Sequence, residues 1–504
     1  MLLTIDIGTT SFKSALWSLP ESPVKLDGAD SSDTKDIRRL SFVSVPVSQE
    51  TPPLLSSSLN EESNTEIDPA LWLNAFTESC KQLLSETGIK NFSGVKAIVI
   101  SGNGPSLVPV TGESFFANKF EAPALKARLW LDHRAVKYQE KISAVMGGFV
   151  NAGFFLPKIY YLKNDENEIY TKTKYFLGCP EYLAFALTGN AKTVFPCDGF
   201  DRWFWNDSAL DQLDLDASKF PEFIRPGDLF GTLMPSAAQY FGFPKDTPVI
   251  SGGPDFYAAI LGSGVTEAGQ ICDRSGSSEG VNLCTTRRVV NEERLMSYAH
   301  PIKPFWNLSG IINTTGAAIE WGRNLLGLRS FNDFITLSKI SKPGSKGVIF
   351  IPYLAGERAP LWDPLARASW QGISLGAGRG EIVNAILESI GFAVRDVIGV
   401  MEQSGESASQ LRVTGGLADC GRLNQIKADI TGKQVLCGVH KDEELLGLAI
   451  IGACYLKIYS SYEQASKAMC RIEKTWEPDL NNKKIYDDLF YQYLYYRSRK
   501  KEEK

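Results

Sequence analysis

Residues 247–255 read Thr-Pro-Val-Ile-Ser-Gly-Gly-Pro-Asp, and the most informative residue of the chain is the aspartate that ends this stretch. Its apolar residues predict a short strand, and its glycine pair predicts that the strand ends just before Asp255. Because clefts in α/β folds form at the carboxyl ends of strands, we expect the Asp255 carboxylate at such an edge. A carboxylate there can take the proton of a substrate hydroxyl, which makes Asp255 the candidate catalytic base. The structural alternative is a cap for a helix over 256–261, and the two roles are compatible.

A second strand that ends in polar residues lies far upstream. Residues 5–11 read Ile-Asp-Ile-Gly-Thr-Thr-Ser. Glycine lets backbone amides approach phosphate oxygens, and hydroxyl groups and a nearby lysine add further donors. The candidate phosphate-binding residues are Gly8, Thr9, Thr10 and Lys13. Asp6 is the candidate Mg²⁺ ligand, because this ion prefers oxygen ligands and keeps several waters, although an ordinary hairpin turn explains the same residues.

The length and composition indicate a globular protein of two domains. The chain has 504 residues, which exceeds the usual size of one core, and we expect domains at 1–248 and 249–504. Hydrophobic residues make up 43% and charged residues 22%, as in ordinary water-soluble proteins. The formal net charge of −5 argues against a nucleic acid or an anionic membrane as partner.

Cysteine usage and hydropathy indicate a cytoplasmic protein. The nine cysteines are scattered, none forms a CxxC pair, and an odd number suits a disulfide framework poorly. The three histidines lie far apart, so no zinc site is expected. We expect no signal peptide, because the chain starts directly with a candidate strand, and no membrane span, because no run reaches the required length.

The second half repeats the pattern of a strand followed by small residues. Strands predicted at 270–273, 311–313 and 411–414 each lead into such a turn. The first turn is a candidate phosphate clamp (Gly276, Ser277 and Ser278), and the glycines of the other two suit an adenosine pocket (Gly316, Gly415 and Gly416). Each turn is also explained as a simple tight turn. Glu279 must point away or be paired, because a carboxylate repels phosphate.

This repetition indicates an internal duplication. Residues 6–11, Asp-Ile-Gly-Thr-Thr-Ser, correspond to residues 274–278, Arg-Ser-Gly-Ser-Ser. Two similar α/β halves that face each other would explain the correspondence. A candidate base in one half and a candidate phosphate loop in the other predict a kinase whose cleft lies between two domains.

Three further stretches carry predictions. Residues 130–134, Trp-Leu-Asp-His-Arg, can bind a polyol through Asp132 and Arg134 with Trp130 as a packing wall, or can form a surface salt bridge. Residues 351–364 contain too many prolines for a helix or an inner strand, so they predict an ordered loop that ion pairs of its Glu-Arg dipeptide anchor. The polar residues 20–65 predict an irregular excursion with one strand at 40–47.

In this order, the motifs resemble those of the FGGY carbohydrate kinases, over nearly the whole chain. Residues 252–255 look like the Gly-Gly-x-Asp element of that family, whose aspartate is the general base. Residues 352–364 are similar to its signature Pro-Tyr-Leu-x-Gly-Glu-Arg-x-Pro, which is the most specific motif of the chain. Residues 413–429 look like its adenosine segment, in which Asn424 is a candidate ligand.

The resemblance implies an α/β protein of two actin-like (ribonuclease H-like) domains with an interdomain cleft. It implies ATP and Mg²⁺ as cofactors, and a small-molecule sugar or polyol as acceptor. Asn103, Gly104 and Pro105 lie where xylulose and gluconate kinases tend to have Gln-Met-His-Gly and glycerol kinases Asn-Gln-Arg-Glu. With Asp132 and Arg134 they are the candidate sugar-binding residues, and they leave the sugar open.

Several alternatives stay open from the sequence. The signature and the Trp-x-Asp-x-Arg element lean toward xylulose and gluconate kinases, while ribulose and glycerol remain alternative substrates. A non-catalytic sugar or nucleotide sensor on the same scaffold, or an actin-like or chaperone-like ATPase, are functions of other classes. Whether the protein forms a homodimer is also left open.

Overall fold

The structure, a computed structural model, describes residues 1–20, 36–47, 66–117, 124–290 and 292–498. Most of the polar stretch 20–65 therefore lies outside the described residues, and its predicted irregular course stays a prediction. The strand predicted at 40–47 is found at Arg38–Pro46.

The strands and helices are numbered along the described residues. The strands are β1 Leu2–Ile7, β2 Ser11–Ser18, β3 Arg38–Pro46, β4 Glu66–Ile67, β5 Ala97–Gly102, β6 Val108–Val110, β7 Ala127–Arg128, β8 Tyr175–Leu177, β9 Thr193–Val194, β10 Phe223–Ile224, β11 Leu229–Thr232, β12 Pro248–Pro254, β13 Gln270–Ser275, β14 Glu279–Thr285, β15 Met296–Ala299, β16 Trp306–Ile312, β17 Ile349–Ile351, β18 Ser369–Gln371, β19 Gln410–Thr414, β20 Gln434–Gly438 and β21 Ile472–Trp476. The α-helices are α1 Ala70–Thr87, α2 Gln139–Val145, α3 Phe155–Asp165, α4 Asn167–Lys172, α5 Cys179–Thr188, α6 Asp207–Gln212, α7 Pro235–Phe241, α8 Asp255–Gly262, α9 Gly316–Leu325, α10 Phe331–Ser338, α11 Arg379–Gln403, α12 Gly421–Thr431, α13 Glu443–Tyr455, α14 Tyr462–Met469 and α15 Leu480–Ser498.

The chain divides into two compact units. Unit 1 consists of Met1–Gly262 together with Glu444–Met469. Unit 2 consists of Ser263–Glu443 together with the described residues from Cys470 onward. The division into domains 1–248 and 249–504 stays a prediction.

The main sheet of unit 1 has the strand order β11-β12-β5-β1-β2-β3. Within this sheet the adjacent strands β12, β5 and β1 are parallel. Strands β2 and β3 continue it as an antiparallel meander. Ile7 and Pro254 are both in register with Gly102, so the three parallel strands end at one edge of the sheet. All six residues of β1 are buried, which explains its continuous apolar run.

Helix α1 covers one face of this sheet with an apolar stripe. Residues Trp72, Phe76 and Leu83 on this stripe are buried, at the spacing of successive helical turns. Asp68 accepts a hydrogen bond from Ala70 N at 2.9 Å, where the helix begins. The buried stripe places α1 in the core of unit 1.

The helices α13 and α14 return the end of the chain to unit 1. Gly447 of α13 packs against the backbone of α8, because an added Cβ would lie within 2 Å of Ala258 O (1.9 Å). Gly452 leaves room for the side chain of Leu2, whose nearest atom is 2.7 Å from the position of an added Cβ. The first strand of the chain and a helix near its end therefore share one core.

The main sheet of unit 2 has the strand order β15-β16-β14-β13-β19-β20-β21. Its strands β13, β19 and β20 are parallel, and β14 and β16 form an antiparallel meander beside them. The order β16-β14-β13-β19-β20-β21 repeats the order β3-β2-β1-β5-β12-β11 of unit 1. The β1–β2 and β13–β14 turns are equivalent in this comparison, which agrees with the predicted internal duplication.

Two helices of unit 2 are long without being uniformly apolar. Helix α11 has 25 residues, and helix α15 has 19. Within α15, Leu489 and Tyr493 are buried, while Ile485 is exposed. Among the residues that the structure describes, no helix combines the length and the apolar character that a membrane crossing requires.

Candidate active site

Asp255 lies where β12 ends and α8 begins, as the sequence predicts. Its Oδ1 accepts a hydrogen bond from Phe256 N at 2.7 Å, and its side chain is half-buried. The carboxylate therefore holds the start of the helix and keeps part of its surface accessible. Capping and an accessible carboxylate occur together at this residue.

Asp6 lies at the corresponding end of β1, on the other side of β5. It is 4% exposed, and its register partners are Lys13 on β2 and Ser101 on β5. The turn that follows is tight, because Gly8 N donates to Ser11 O at 2.9 Å. The predicted hairpin is therefore present, and it brings Lys13 opposite Asp6.

The pKa of the buried Cys179 thiol is affected by both acids. Its Sγ donates to Asn103 O at 3.0 Å. Burial, followed by the charges of Glu181, Asp6 and Asp255, raises the pKa of Cys179 well above its usual value. Asp6 and Asp255 thus lie within electrostatic range of one thiol. Sequence analysis missed this residue, because a lone cysteine at a helix start carries no signal of its own.

The segment 103–106 forms a loop after β5, and its polar groups are engaged within unit 1. Asn103 Nδ2 donates to Ile7 O at 2.9 Å, and its Oδ1 accepts from Ser106 Oγ at 2.6 Å. Pro105 O accepts from Lys158 Nζ at 2.8 Å. Gly104 is exposed, and no atom lies within 4 Å of where its Cβ would be. The Asn103 side chain therefore shapes the loop, and Gly104 leaves open space beside it.

Lys158 on α3 connects this loop with the segment before Trp130. Its Nζ donates to Pro105 O and, at 2.7 Å, to Leu129 O, and the residue is 3% exposed. Burial lowers the pKa of Lys158 to about 7. Sequence analysis missed Lys158, although a lysine within the apolar run 154–161 is a signal for a buried cation.

The segment 130–134 lies beside the first phosphate loop. Trp130 Nε1 donates to Thr9 Oγ1 at 3.1 Å, so the structure brings these two predicted site regions together. Arg134 Nη2 is 2.6 Å from Asp132 Oδ2, and Asp132 is 2% exposed. Burial alone would raise the pKa of Asp132, but the hydrogen bonds from Arg134 outweigh burial and lower it. The predicted salt bridge is present and is buried instead of lying on the surface.

In unit 2 the three predicted turns converge. Gly316 N donates to Gly276 O at 2.9 Å, and Thr315 N donates to Ser277 O at 3.0 Å. An added Cβ on Gly316 would lie 2.5 Å from Gly276 O, and one on Gly415 would lie 2.6 Å from Ser275 O. These close approaches explain why glycine occupies both positions. The loop 276–278, with Ser278 at its end, is thus held by its carbonyl groups.

Gly416 and Asn424 have different environments in this region. No atom lies within 4 Å of where the Cβ of Gly416 would be, so a ligand can approach its backbone. Asn424 is 1% exposed, and its Nδ2 donates to Ala418 O at 2.7 Å. Asn424 therefore holds the turn that contains Gly416.

A buried lysine pairs the carboxylate of Glu279. Lys427 Nζ contacts Glu279 Oε1 and lies 2.7 Å from Asp273 Oδ2, and all three side chains are fully buried. Burial and then the Asp273 charge raise the pKa of Glu279, which Lys427 only partly offsets. Glu279 is therefore paired, as the sequence required. Lys427 was missed, although it follows Ile426 on a helix with an apolar face.

The proline-rich loop 351–364 is ordered around its glutamate. Glu357 Oε1 accepts hydrogen bonds from Asn313 N and Arg358 N, both at 2.8 Å. Arg358 Nε in turn donates to Asn313 Oδ1. The sequence predicts anchoring by ion pairs, whereas Glu357 and Arg358 each anchor the loop through a hydrogen bond with Asn313. Burial raises the pKa of Glu357 to about 7.

Comparison with known proteins identifies the family. Residues 47–262 match the N-terminal domain of the FGGY family of carbohydrate kinases, and residues 274–456 match its C-terminal domain. The chain belongs to this family. The predicted resemblance and the predicted enzyme class, a phosphotransferase with a sugar hydroxyl as acceptor, are confirmed.

Xylulose and gluconate kinases are among the relatives. Xylulose kinase of Staphylococcus epidermidis is 26% identical over 442 residues, which cover 85% of this chain and 87% of that protein. Gluconokinase of Bacillus subtilis is 23% identical over 482 residues, with 90% and 86% covered. A solved ligand-bound xylulose kinase from Lactobacillus acidophilus has a TM-score of 0.80 at 21% identity and covers 99% of this chain and 98% of its own. The predicted fold class of two actin-like α/β domains is confirmed, and the cleft between them stays a prediction.

We predict that Lys427→Met strongly destabilises the protein. The substitution leaves the buried carboxylates of Asp273 and Glu279 without their cation, which costs about 3–5 kcal/mol when one partner of a buried pair is removed. Urea denaturation measures the loss. Lys441→Met is the matched control, because Lys441 forms an ion pair with Asp419 at the surface. Equal losses in the two variants would contradict the role of the buried pair.

We predict that Glu357→Gln gains stability relative to the wild type as the pH rises. The folded-state pKa of Glu357 is raised to about 7, so its contribution is present below the unfolded value of 4.5 and is lost as the pH rises through about 7. Urea denaturation at about pH 5 and about pH 8 brackets this window. Glu320→Gln is the control, because hydrogen bonds from Arg323 lower the pKa of Glu320 below 4.5, so its difference from the wild type stays constant between these two pH values. A pH-independent difference for Glu357→Gln would refute the assignment.

Proposed function

We propose that this carbohydrate kinase transfers the γ-phosphoryl group of ATP to a hydroxyl of an uncharged sugar of the xylulose type, with Asp255 as the general base. One observation carries the proposal. The half-buried Asp255 and the buried Asp6 end two parallel strands of the same sheet, at one edge and on either side of β5. Phosphoryl transfer needs a base for the hydroxyl and an anchor for the metal-bound phosphates, and such an edge supplies both.

In this proposal Asp255 accepts the proton of the attacking hydroxyl. Its position at the start of α8 fixes the carboxylate through the hydrogen bond from Phe256 N, and its exposed part faces solvent or substrate. Positioning and charge stabilisation carry most of the catalysis in phosphoryl transfer, so the protein has little covalent work to do. The rigid placement of the Asp255 carboxylate therefore contributes more to catalysis than its basicity.

ATP with Mg²⁺ is the proposed phosphoryl donor, and Asp6 is the residue that would hold the ion. Among the described residues, no group of three or more His, Cys, Asp and Glu side chains is arranged to hold a metal. A single buried carboxylate fits Mg²⁺, which takes its other ligands from phosphates and water. The ion would neutralise charge on the phosphates. The residues proposed for phosphate binding are Gly8, Thr9, Thr10, Lys13, Gly276, Ser277 and Ser278.

The turns of unit 2 are proposed to receive the adenosine. The open space beside Gly416 and the tight turns at Gly316 and Gly415 support this assignment. For Asn424 we propose an indirect role, because its amide already holds the turn. Asn103, Gly104, Pro105, Asp132 and Arg134 are proposed for the sugar side, where the side chains of Asn103 and Asp132 act by holding their segments in place.

The cationic side chains near the proposed sugar site already have partners, which favours an uncharged sugar over an aldonate. Arg134 binds Asp132, Glu66 at 3.0 Å and Glu166 at 3.2 Å. Lys158 is enclosed by backbone carbonyl groups. A substrate carboxylate would have to displace one of these partners, which costs more than binding a neutral ketose. Gluconate, ribulose and glycerol remain the alternative substrates.

A non-catalytic sensor on the same scaffold is the alternative from another class. It would bind sugar and ATP without turnover. The placement of both acids at one sheet edge supports an enzyme instead. For the cellular location we propose the cytoplasm, which the thiol state of all nine cysteines supports.

We predict that Asp255→Asn lowers turnover by about 10²–10⁴-fold, the usual worth of general acid–base catalysis. The amide keeps the shape of the side chain but cannot accept the proton. The measurement is ADP release with Mg²⁺-ATP against a panel of xylulose, ribulose, gluconate and glycerol. Asp207→Asn is the matched control, since Asp207 is an exposed acid in the first turn of α6. Near-normal turnover of Asp255→Asn would refute the base, and ATP binding without turnover of any sugar would favour the sensor.

A further inference from the structure

Aromatic rings form a continuous row that starts beside Asp255. Phe256 stacks on Phe200, with ring centroids 5.4 Å apart and planes 14° from parallel. Phe200 meets Trp203 edge-on at 5.0 Å, and Trp203 stacks on Phe154 at 5.9 Å. We call Phe256, Phe200, Trp203 and Phe154 the aromatic row. All four belong to unit 1.

The far end of the aromatic row reaches the first phosphate loop. Gly153 precedes Phe154, and an added Cβ on Gly153 would lie 2.6 Å from Trp130 O, so the two backbones are in contact. Trp130 in turn donates its Nε1 hydrogen to Thr9 Oγ1. Thr9 follows β1, and β1, β5 and β12 lead back to Asp255 through their register. These contacts form a closed circuit around the edge of the sheet within unit 1.

The circuit has two chemically different parts. The carboxylates of Asp6 and Asp255 lie at the strand ends, and the aromatic row forms the part of the circuit from Phe256 to Phe154. Phe256, Trp203 and Phe154 are half-buried, while Phe200 is only 8% exposed. The aromatic row therefore keeps part of its apolar surface accessible. Stacking between neighbouring rings holds each ring in place.

An open-chain sugar has the same division into polar and apolar surface. Its hydroxyl groups need hydrogen-bond acceptors and donors, while its C–H groups are apolar and pack on aromatic faces. Small-molecule sites typically combine aromatic walls with a few polar groups that fix the orientation of the ligand. A circuit that combines acids with a row of aromatic rings therefore matches a polyhydroxyl chain.

We infer that the aromatic row is the wall on which the carbon chain of the substrate lies, and that Trp203 determines specificity for uncharged open-chain ketoses and polyols. The inference rests on the proposed function, because it places the transferred hydroxyl at Asp255. Phe256 and Phe200 lie nearest that hydroxyl. Trp203 and Phe154 lie farther along the row, so they contact the part of the chain that distinguishes one sugar from another.

The test compares Trp203→Leu and Trp203→Phe with the wild type. We expect Trp203→Leu to raise the KM for xylulose about tenfold, the scale of a lost apolar contact in a binding pocket. The turnover number and the KM for ATP stay unchanged, and Trp203→Phe, which restores a ring, recovers most of the affinity. Tyr240→Ala is the control, because Tyr240 is an exposed aromatic residue of α7 outside the row.

Calorimetric titration with xylulose, gluconate and glycerol separates this inference from the proposed function. Weaker xylulose binding by Trp203→Leu supports the wall even if the wild type shows no turnover, in which case only the proposed function fails. Unchanged binding of all three compounds by Trp203→Leu overturns the inference, as does a wild type that binds none of them. Tighter wild-type binding of gluconate than of xylulose overturns the uncharged substrate class.

Discussion

The parallel register of β1, β5 and β12 is the constraint on which the candidate site depends. Backbone hydrogen bonds fix neighbouring strands about 4.8 Å apart, so two acids near the ends of the outer strands of a parallel trio are separated by at least about 10 Å. That spacing reduces the repulsion between Asp6 and Asp255 and leaves room for a small ligand. Sheet geometry, more than side-chain packing, therefore places the two carboxylates.

The duplicated topology serves a different purpose in each unit. In unit 1 the strand ends carry acids that are half-buried or buried beside a thiol. In unit 2 the equivalent turn follows Ser275 and is held by carbonyl groups, and the nearby Glu279 is compensated by Lys427. The same strand order thus supports an acidic edge in one unit and, in the other, an edge whose buried carboxylates share a lysine.

Local patterns in the sequence were sufficient to predict where strands end and where turns follow. Asp255, Gly276 and Gly415 follow apolar runs, and both the strand and the chain reversal depend on neighbouring residues. The apolar neighbours of Lys158 and Lys427 indicate burial, but a lysine in a helix ordinarily lies on the solvated face, and local sequence does not identify the groups that pair with a buried one. Their partners are carbonyl groups and carboxylates that are distant in sequence, so the tertiary structure alone identifies them. The aromatic row was missed for the same reason.

The return of α13 to unit 1 has a consequence for how the protein is made. Leu2 and Gly452 pack in one core, so the first unit lacks part of its interior until residues 444–469 have been synthesised. The apolar surface that α13 and α14 cover stays open until then, and such exposed surface is prone to aggregation. Contacts between residues this distant also require costly loop closure, which slows folding. The first unit therefore completes its core late in synthesis, although residues 2–254 form its main sheet.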